Sequence, residues 1–199
     1  MMTRKILPFA AAVLLAACAQ NNYTEQSEWP QAQEIDDFAA DGRLAVKIKE
    51  KGSYANFDWR YQGQMQTVDV NTPLGNTVGK LCQDSLGVLA VDAKGRVYQA
   101  QNAAELSSSL LGFELPLQYL HLWASGKRAA GEPYQILADG RLQQSGWNIR
   151  RSVGEQNEAK ILFLENSKLS IRLVFDDWDK LPKSERKMQC AERSGAEQP

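Results

Sequence analysis

Leu169-Ser170-Ile171-Arg172-Leu173-Val174-Phe175 carries the clearest period-two pattern in the chain. A β-strand sends successive side chains to opposite faces, so Leu169, Ile171, Leu173 and Phe175 share one apolar face. Working outward, the same period recurs. Leu44, Val46 and Ile48 oppose Arg43, Lys47 and Lys49, and Ala55, Phe57, Trp59 and Tyr61 share a face of the next strand. Gln66–Val70 and Thr77–Cys82 flank a turn-like insert, and Leu86–Val91 and Arg96–Ala100 form a hairpin around Lys94-Gly95. Tyr134–Leu137, Arg141–Ser145, Trp147–Val153 and Ala159–Glu165 complete the series. About ten short strands joined by tight turns predict an antiparallel, barrel-like sheet.

Two helices interrupt the strands. Asn102-Ala103-Ala104-Glu105 reads as a capping-box variant, and Gly112 is placed to end that helix. A second helix starts at Pro116, a favoured first-turn residue, and stops at Gly126. Its face of Leu117, Leu120, His121, Trp123 and Ala124 is strongly apolar. Amphipathic helices in mid-chain beside a sheet with one apolar face predict a curved sheet under a helical lid. A further helix is expected over Pro30–Phe38, where Ile35 and Phe38 stand three apart.

The start of the chain places Arg4 and Lys5 before an apolar run from Ile6 to Ala17, followed by Cys18. This is the form of a secretory signal peptide, and its run of about 12 residues falls short of the ~20 a membrane-spanning helix needs. Small residues ending directly on a cysteine, Leu14-Leu15-Ala16-Ala17-Cys18, resemble a bacterial lipobox. That resemblance implies that Cys18 is acylated and becomes the first residue of the mature protein. Ala19 at the next position fits export to the outer membrane, since proteobacterial lipoproteins retained at the inner membrane often carry Asp there.

Removal of residues 1–17 leaves 182 residues, with 21 basic against 24 acidic side chains. No basic cluster stands out, which argues against nucleic acid as a partner. Cys82 and Cys190 are too far apart to read as a metal site. They can bridge, as an oxidising compartment permits, or remain free thiols. The polar surroundings of Cys190 favour free thiols. Enzymatic chemistry lacks material: no Gly-x-Ser-x-Gly elbow occurs, and His121 is the single histidine. His121 reads as a packed or surface residue, and Asp176, Asp177 and Asp179 read as solvated charges at a strand end. Arg43 is placed for a polar contact with the lid.

The lipobox, Thr72-Pro73-Leu74-Gly75-Asn76, Leu115-Pro116-Leu117 with Leu120, Trp123 and Gly126, and Gly146-Trp147 with Leu169–Trp178 occur in the order seen in the LolB family. The resemblance runs from Trp29 to Lys180. It departs at Thr72, where the family often has Asn, at Cys82, and in a charged tail beyond Lys180. It implies a mainly β (α+β) fold: an unclosed antiparallel β-barrel, or half-barrel, with an α-helical lid over an apolar cavity. The function implied is to take lipoproteins from a LolA-like carrier and place them in the inner leaflet of the outer membrane. A monomer is implied, anchored through Cys18, facing the periplasm and working without catalytic residues, metal or cofactor.

The cavity would bind acyl chains through Leu44, Val46, Ile48, Phe57, Trp59, Leu117, Leu120 and Trp123. Pro73, Leu74 and Gly75 match a protruding family loop whose exposed leucine helps incorporate lipoprotein into the membrane. The expected organisation is a signal peptide over 1–17, a lipidated tether over 18–28, the binding domain over 29–182 and a disordered tail over 183–199. The competing reading is a structural lipoprotein of envelope assembly, with a filled core and no affinity for acyl chains.

Overall fold

A computed structural model describes residues 23–111, 114–186, 188–191 and 193. The expected signal peptide, Cys18 and Ala19 lie outside them. Twelve strands are present among the described residues: β1 (Thr24–Glu25), β2 (Phe38–Ile48), β3 (Lys51–Gln62), β4 (Met65–Asn71), β5 (Thr77–Asp84), β6 (Gly87–Asp92), β7 (Val97–Ala100), β8 (Tyr134–Ile136), β9 (Leu142–Gln144), β10 (Trp147–Val153), β11 (Ala159–Glu165) and β12 (Leu169–Lys180). Two helices, α1 (Ala103–Leu111) and α2 (Leu117–Ala124), lie between β7 and β8.

The sheet order is β7-β6-β5-β4-β3-β2-β12-β11-β10-β9-β8, every pairing antiparallel, with β1 added to β10. The chain therefore meanders from the centre to one edge, crosses on its two helices to the other edge, and meanders back. β12 closes that return by pairing with β2 from Leu169↔Ile48 to Lys180↔Phe38. The edges β7 and β8 do not pair, so the barrel stays unclosed. The long strands β2, β3 and β12 are as the alternation predicts, one face more buried than the other, whereas β6 buries Val88 and Leu89 on opposite faces and β8 is exposed throughout.

Register puts one set of side chains on the concave face. Leu173 stands opposite Leu44 and Leu162, and Ile171 opposite Val46 and Leu164. Gly42 pairs Phe57, and Ala40 pairs Trp59. The helices cross over this face, and their apolar stripes bury against it: Leu120, Trp123 and Ala124 join Phe57, Trp59, Ile149, Leu162, Leu164, Ile171 and Phe175 in one core. Each such side chain contributes about 1.5–3 kcal/mol on leaving water.

α1 starts as its sequence indicates, whereas α2 begins one residue later than expected, with Pro116 as its N-cap. Asn102 Oδ1 accepts the Glu105 N–H at 2.8 Å, and Glu105 reaches back to the Gln101 N–H. At the end of α2, Gly126 adopts φ +75°. Its N–H reaches the Trp123 carbonyl and that of Lys127 the Leu122 carbonyl, a Schellman ending. Gly112 lies outside the described residues.

Four expectations are corrected. Pro30–Phe38 is not a helix. Its backbone bonds are made to distant partners: Pro30 O accepts from Arg128 N, Ala32 N donates to Arg128 O, and Phe38 opens β2. The segment 18–28 is not a free tether along its described part, because β1 pairs Thr24 with Val153 and Glu25 with Ser152. Its neighbour Gln26 donates its backbone N–H to Arg151 O.

The described part of the tail is likewise packed rather than disordered. It crosses the convex face, where Cys190 forms a disulfide with Cys82, the reverse of the free thiols favoured above. Met65, Cys82, Leu89 and Cys190 form a small apolar cluster there, joined by Met188. Arg193 donates to both oxygens of Asp84 at 2.8 Å, and Cys190 N donates to Asp84 Oδ2 at 2.9 Å. Burial works against the Asp84 carboxylate, but these donors more than offset it and hold its pKa below the ordinary value. Polarity of the tail hid this contact, since its few buried side chains have no period.

Candidate functional site

The eight residues expected to line the cavity fall into three groups. Phe57, Trp59, Leu120 and Trp123 are buried, Leu44, Val46 and Leu117 are half-buried, and Ile48 is 39 % exposed. In this structure the lid is seated and these side chains occupy the space beneath it. Phe57 meets Phe175 edge-on at 5.5 Å, and Trp59 meets Phe38 edge-on at 5.2 Å. The apolar face continues past the helices toward Ile48, where cover is lost. Expected wall and ordinary core are thus one surface.

Three buried polar residues tie α2 to the sheet, and sequence reasoning missed all three. Gln66 on β4 donates to Leu117 O at 3.0 Å while accepting from Trp59 Nε1 at 3.3 Å. Gln144 on β9 accepts from Trp123 Nε1 at 3.1 Å and from Ala129 N at 2.8 Å. Arg151 on β10 donates from Nε to Ala124 O at 2.7 Å. It also holds Gln26 Oε1 at 2.6 Å and Asn157 O at 2.8 Å. Burial lowers the guanidinium pKa to about 10, so it stays charged and complements the negative end of α2. The available signal was a polar residue on the inward face of an apolar strand: Gln66, Gln144 and Arg151 all sit in register with core positions.

α1 has a lighter hold. Its Ala103 and Leu106 pack on Val88 of β6 as a separate small cluster. Ser107 Oγ accepts the Leu115 N–H at 2.8 Å, linking α1 to the start of α2. His121 stacks on Tyr61 at 4.6 Å, and its Nδ1 is buried without a partner among the described residues. Burial lowers its pKa to about 4, so it is neutral near pH 7. Arg43 makes no contact with the lid, because β2's register sends it outward to Asp176 at 2.8 Å.

Leu74 crowns the β4–β5 connection and is 90 % exposed. Thr72 N donates to Asn76 O, Gly75 N donates to Thr72 O, and Asn76 N donates to Thr72 Oγ1 at 3.1 Å. Pro73 fixes its own φ, and Gly75 takes φ +86°, a value that glycine adopts without strain. A tight, internally bonded turn therefore holds Leu74 away from every core cluster.

A family profile described as "Outer membrane lipoprotein LolB" matches residues 36–178. The chain belongs to the LolB family. A LolB-family relative, the outer-membrane lipoprotein LolB of Neisseria meningitidis serogroup A, is 51% identical over 181 residues, 91% of this chain and 94% of that protein. The Chromobacterium violaceum outer-membrane lipoprotein LolB is 34% identical over 89% of this chain and 99% of its own. Among solved structures, a LolA superfamily protein from Nitrosomonas europaea aligns with a TM-score of 0.42 at 8% identity, covering 76% of this chain and 90% of that one.

Proposed function

We propose that this LolB-family chain accepts lipoproteins from a LolA-like periplasmic carrier and inserts them into the inner leaflet of the outer membrane. The observation that carries this reading is the continuous apolar concave face under a two-helix cover, open toward Ile48. A triacylated lipoprotein exposes on the order of 40 methylenes at ~0.8 kcal/mol each, or ~30 kcal/mol against free passage through water. A surface that trades its own apolar contacts for acyl chains avoids most of that cost.

In this reading acyl chains enter at the Leu44–Ile48 end and displace lid side chains from Phe57 and Trp59. Trp123 and Leu120 move with α2, while the light hold on α1 lets it yield first. Transfer runs downhill from carrier to receptor to bilayer, so neither nucleotide nor covalent chemistry is needed. The protein acts as a monomer without catalytic residues. Acylated Cys18 holds it to the outer membrane facing the periplasm, after removal of residues 1–17. Leu74, presented by Pro73 and Gly75, enters the leaflet during release.

The testing experiment mixes an unlipidated Cys18→Ala form with carrier loaded with labelled lipoprotein, then separates the two. Label passing to this protein is expected. Label remaining on the carrier, with the domain folded by circular dichroism, would overturn the receptor role and favour an envelope scaffold. Leu74→Glu is then expected to accept label as the parent does but to deliver roughly tenfold less into liposomes, consistent with ~1.5–3 kcal/mol for one buried leucine. Equal delivery would remove Leu74 from the mechanism.

A further inference from the structure

The strand register gathers five connections at one end of the sheet. There β2–β3, β4–β5, β6–β7, β9–β10 and β11–β12 all turn. The β2–β3 ribbon runs five residues past the last β3–β4 pair, Asn56↔Asn71, or ~17 Å at strand rise. Its tip carries Lys47, Lys49 and Lys51, and Lys168 stands in the neighbouring β11–β12 turn. All four are exposed and make no ion pair among the described residues. Some basic residues elsewhere on the sheet are answered by acids, as Lys80 by Asp69, Arg96 by Asp92 and Arg43 by Asp176, while the exposed Arg60, Arg150 and Arg172 make no ion pair among the described residues. Glu50 is the acidic residue of the β2–β3 turn.

Exposed apolar groups share this end of the sheet. Ile48 is 39 %, Tyr54 78 % and Leu74 90 % exposed. Tyr54 leans toward the tip, its hydroxyl 3.8 Å from where Gly52 would carry a Cβ. Acidic groups concentrate elsewhere. Glu34, Asp36 and Asp37 precede β2 at the opposite end, and Asp41, Asp58 and Asp177 share the convex face. Burial first, then Asp177 and Asp58, raise the Asp41 pKa.

We propose that this end is a docking face for an anionic phospholipid bilayer, the Lys47, Lys49, Lys51 and Lys168 ammonium groups reading headgroup phosphates around the apolar Leu74, Ile48 and Tyr54. The inference rests on the receptor reading and assigns it a lipid class. Exposed ammonium groups with apolar side chains between them match an interface where phosphate lies above acyl chains. Each lysine held near an anionic leaflet strengthens binding about fivefold. A protein with nearly balanced charge thus approaches the membrane by an end that carries four unpaired lysines, which orients Leu74 toward it.

The test uses an unlipidated Cys18→Ala form without residues 1–17, which removes the anchor's own affinity, its fold checked by circular dichroism. Its sedimentation with phosphatidylglycerol-containing vesicles is compared with that on pure phosphatidylcholine. The parent is expected to prefer anionic vesicles and to lose the preference in high salt. The variant Lys47→Gln, Lys49→Asn, Lys51→Gln, Lys168→Gln is expected to bind anionic vesicles at least tenfold more weakly, with unchanged circular dichroism and unchanged uptake of label from the carrier. Equal anionic binding by parent and variant would overturn the proposal. Lost uptake with intact vesicle binding would also overturn it, giving the lysines to the carrier instead. Lysine-dependent vesicle binding by a parent that takes no label would support the docking face while sinking the receptor reading.

Discussion

His121 packs flat against Tyr61 beneath α2, half-buried, with a ring nitrogen that has no hydrogen-bond partner among the described residues. Its unfolded pKa is ~6.5 and its folded value about 4, lowered by burial. The unfolded chain therefore binds the extra proton first, and stability falls as pH drops from ~6.5 to ~4, then levels off. The loss is at most ~3 kcal/mol, reduced by whatever solvent the ring still meets. His121→Phe keeps the stack and removes the proton. Urea unfolding at pH 7 and pH 4.5 is expected to show a smaller acid loss for the variant, and identical losses would exclude His121 as its source. His121 was legible in sequence as a packed or surface residue on an apolar helix, and the stack on Tyr61 shows it packed. Arg151 was not, because a charged residue at a core register position makes sense only once Ala124, Gln26 and Asn157 are brought to it.

Among the elements, the meandering strands were readable because each carries its own signal. In β12, Leu169 to Phe175 alternate without help from the rest of the chain, and in β3 so do Phe57, Trp59 and Tyr61. The misreadings share one physical cause, a local pattern overruled by a distant partner. Asp37, inside the segment expected to be a helix, is buried and accepts N–H groups from Gly63 and Ser184. The tail is read wrongly for the same reason, since its order comes from Cys82, 108 residues away. Closing so long a loop stabilises the fold by about 2–4 kcal/mol. Cys190→Ser with Cys82→Ser is expected to lower stability by that amount and to speed proteolysis after Lys183, with the lid face unaltered. Unchanged proteolysis would mean that Arg193 and Asp84 suffice to seat the tail.

At the scale of the whole molecule, a curved antiparallel sheet under a helical lid followed from alternation plus two amphipathic helices, and a bend at Leu74 from Pro-Leu-Gly, while the unclosed barrel and the exposed leucine came from the family resemblance. Which part of the apolar face is covered did not follow. Period two assigns Phe57 and Ile48 to the same side, and only the path of α2 makes one interior and leaves the other at the rim. β1 adds a constraint of leverage. It is stitched to the end of β10 remote from Leu74, and the six residues from Thr24 back to Cys18 reach no more than about 20 Å. The eleven-residue β2 alone is ~37 Å long. In the proposed mode of action, a protein moored at Cys18 and probing the leaflet with Leu74 would have to recline along the bilayer, or peel β1 from Val153 to swing upright, so that mooring and probing draw on one short length of rope.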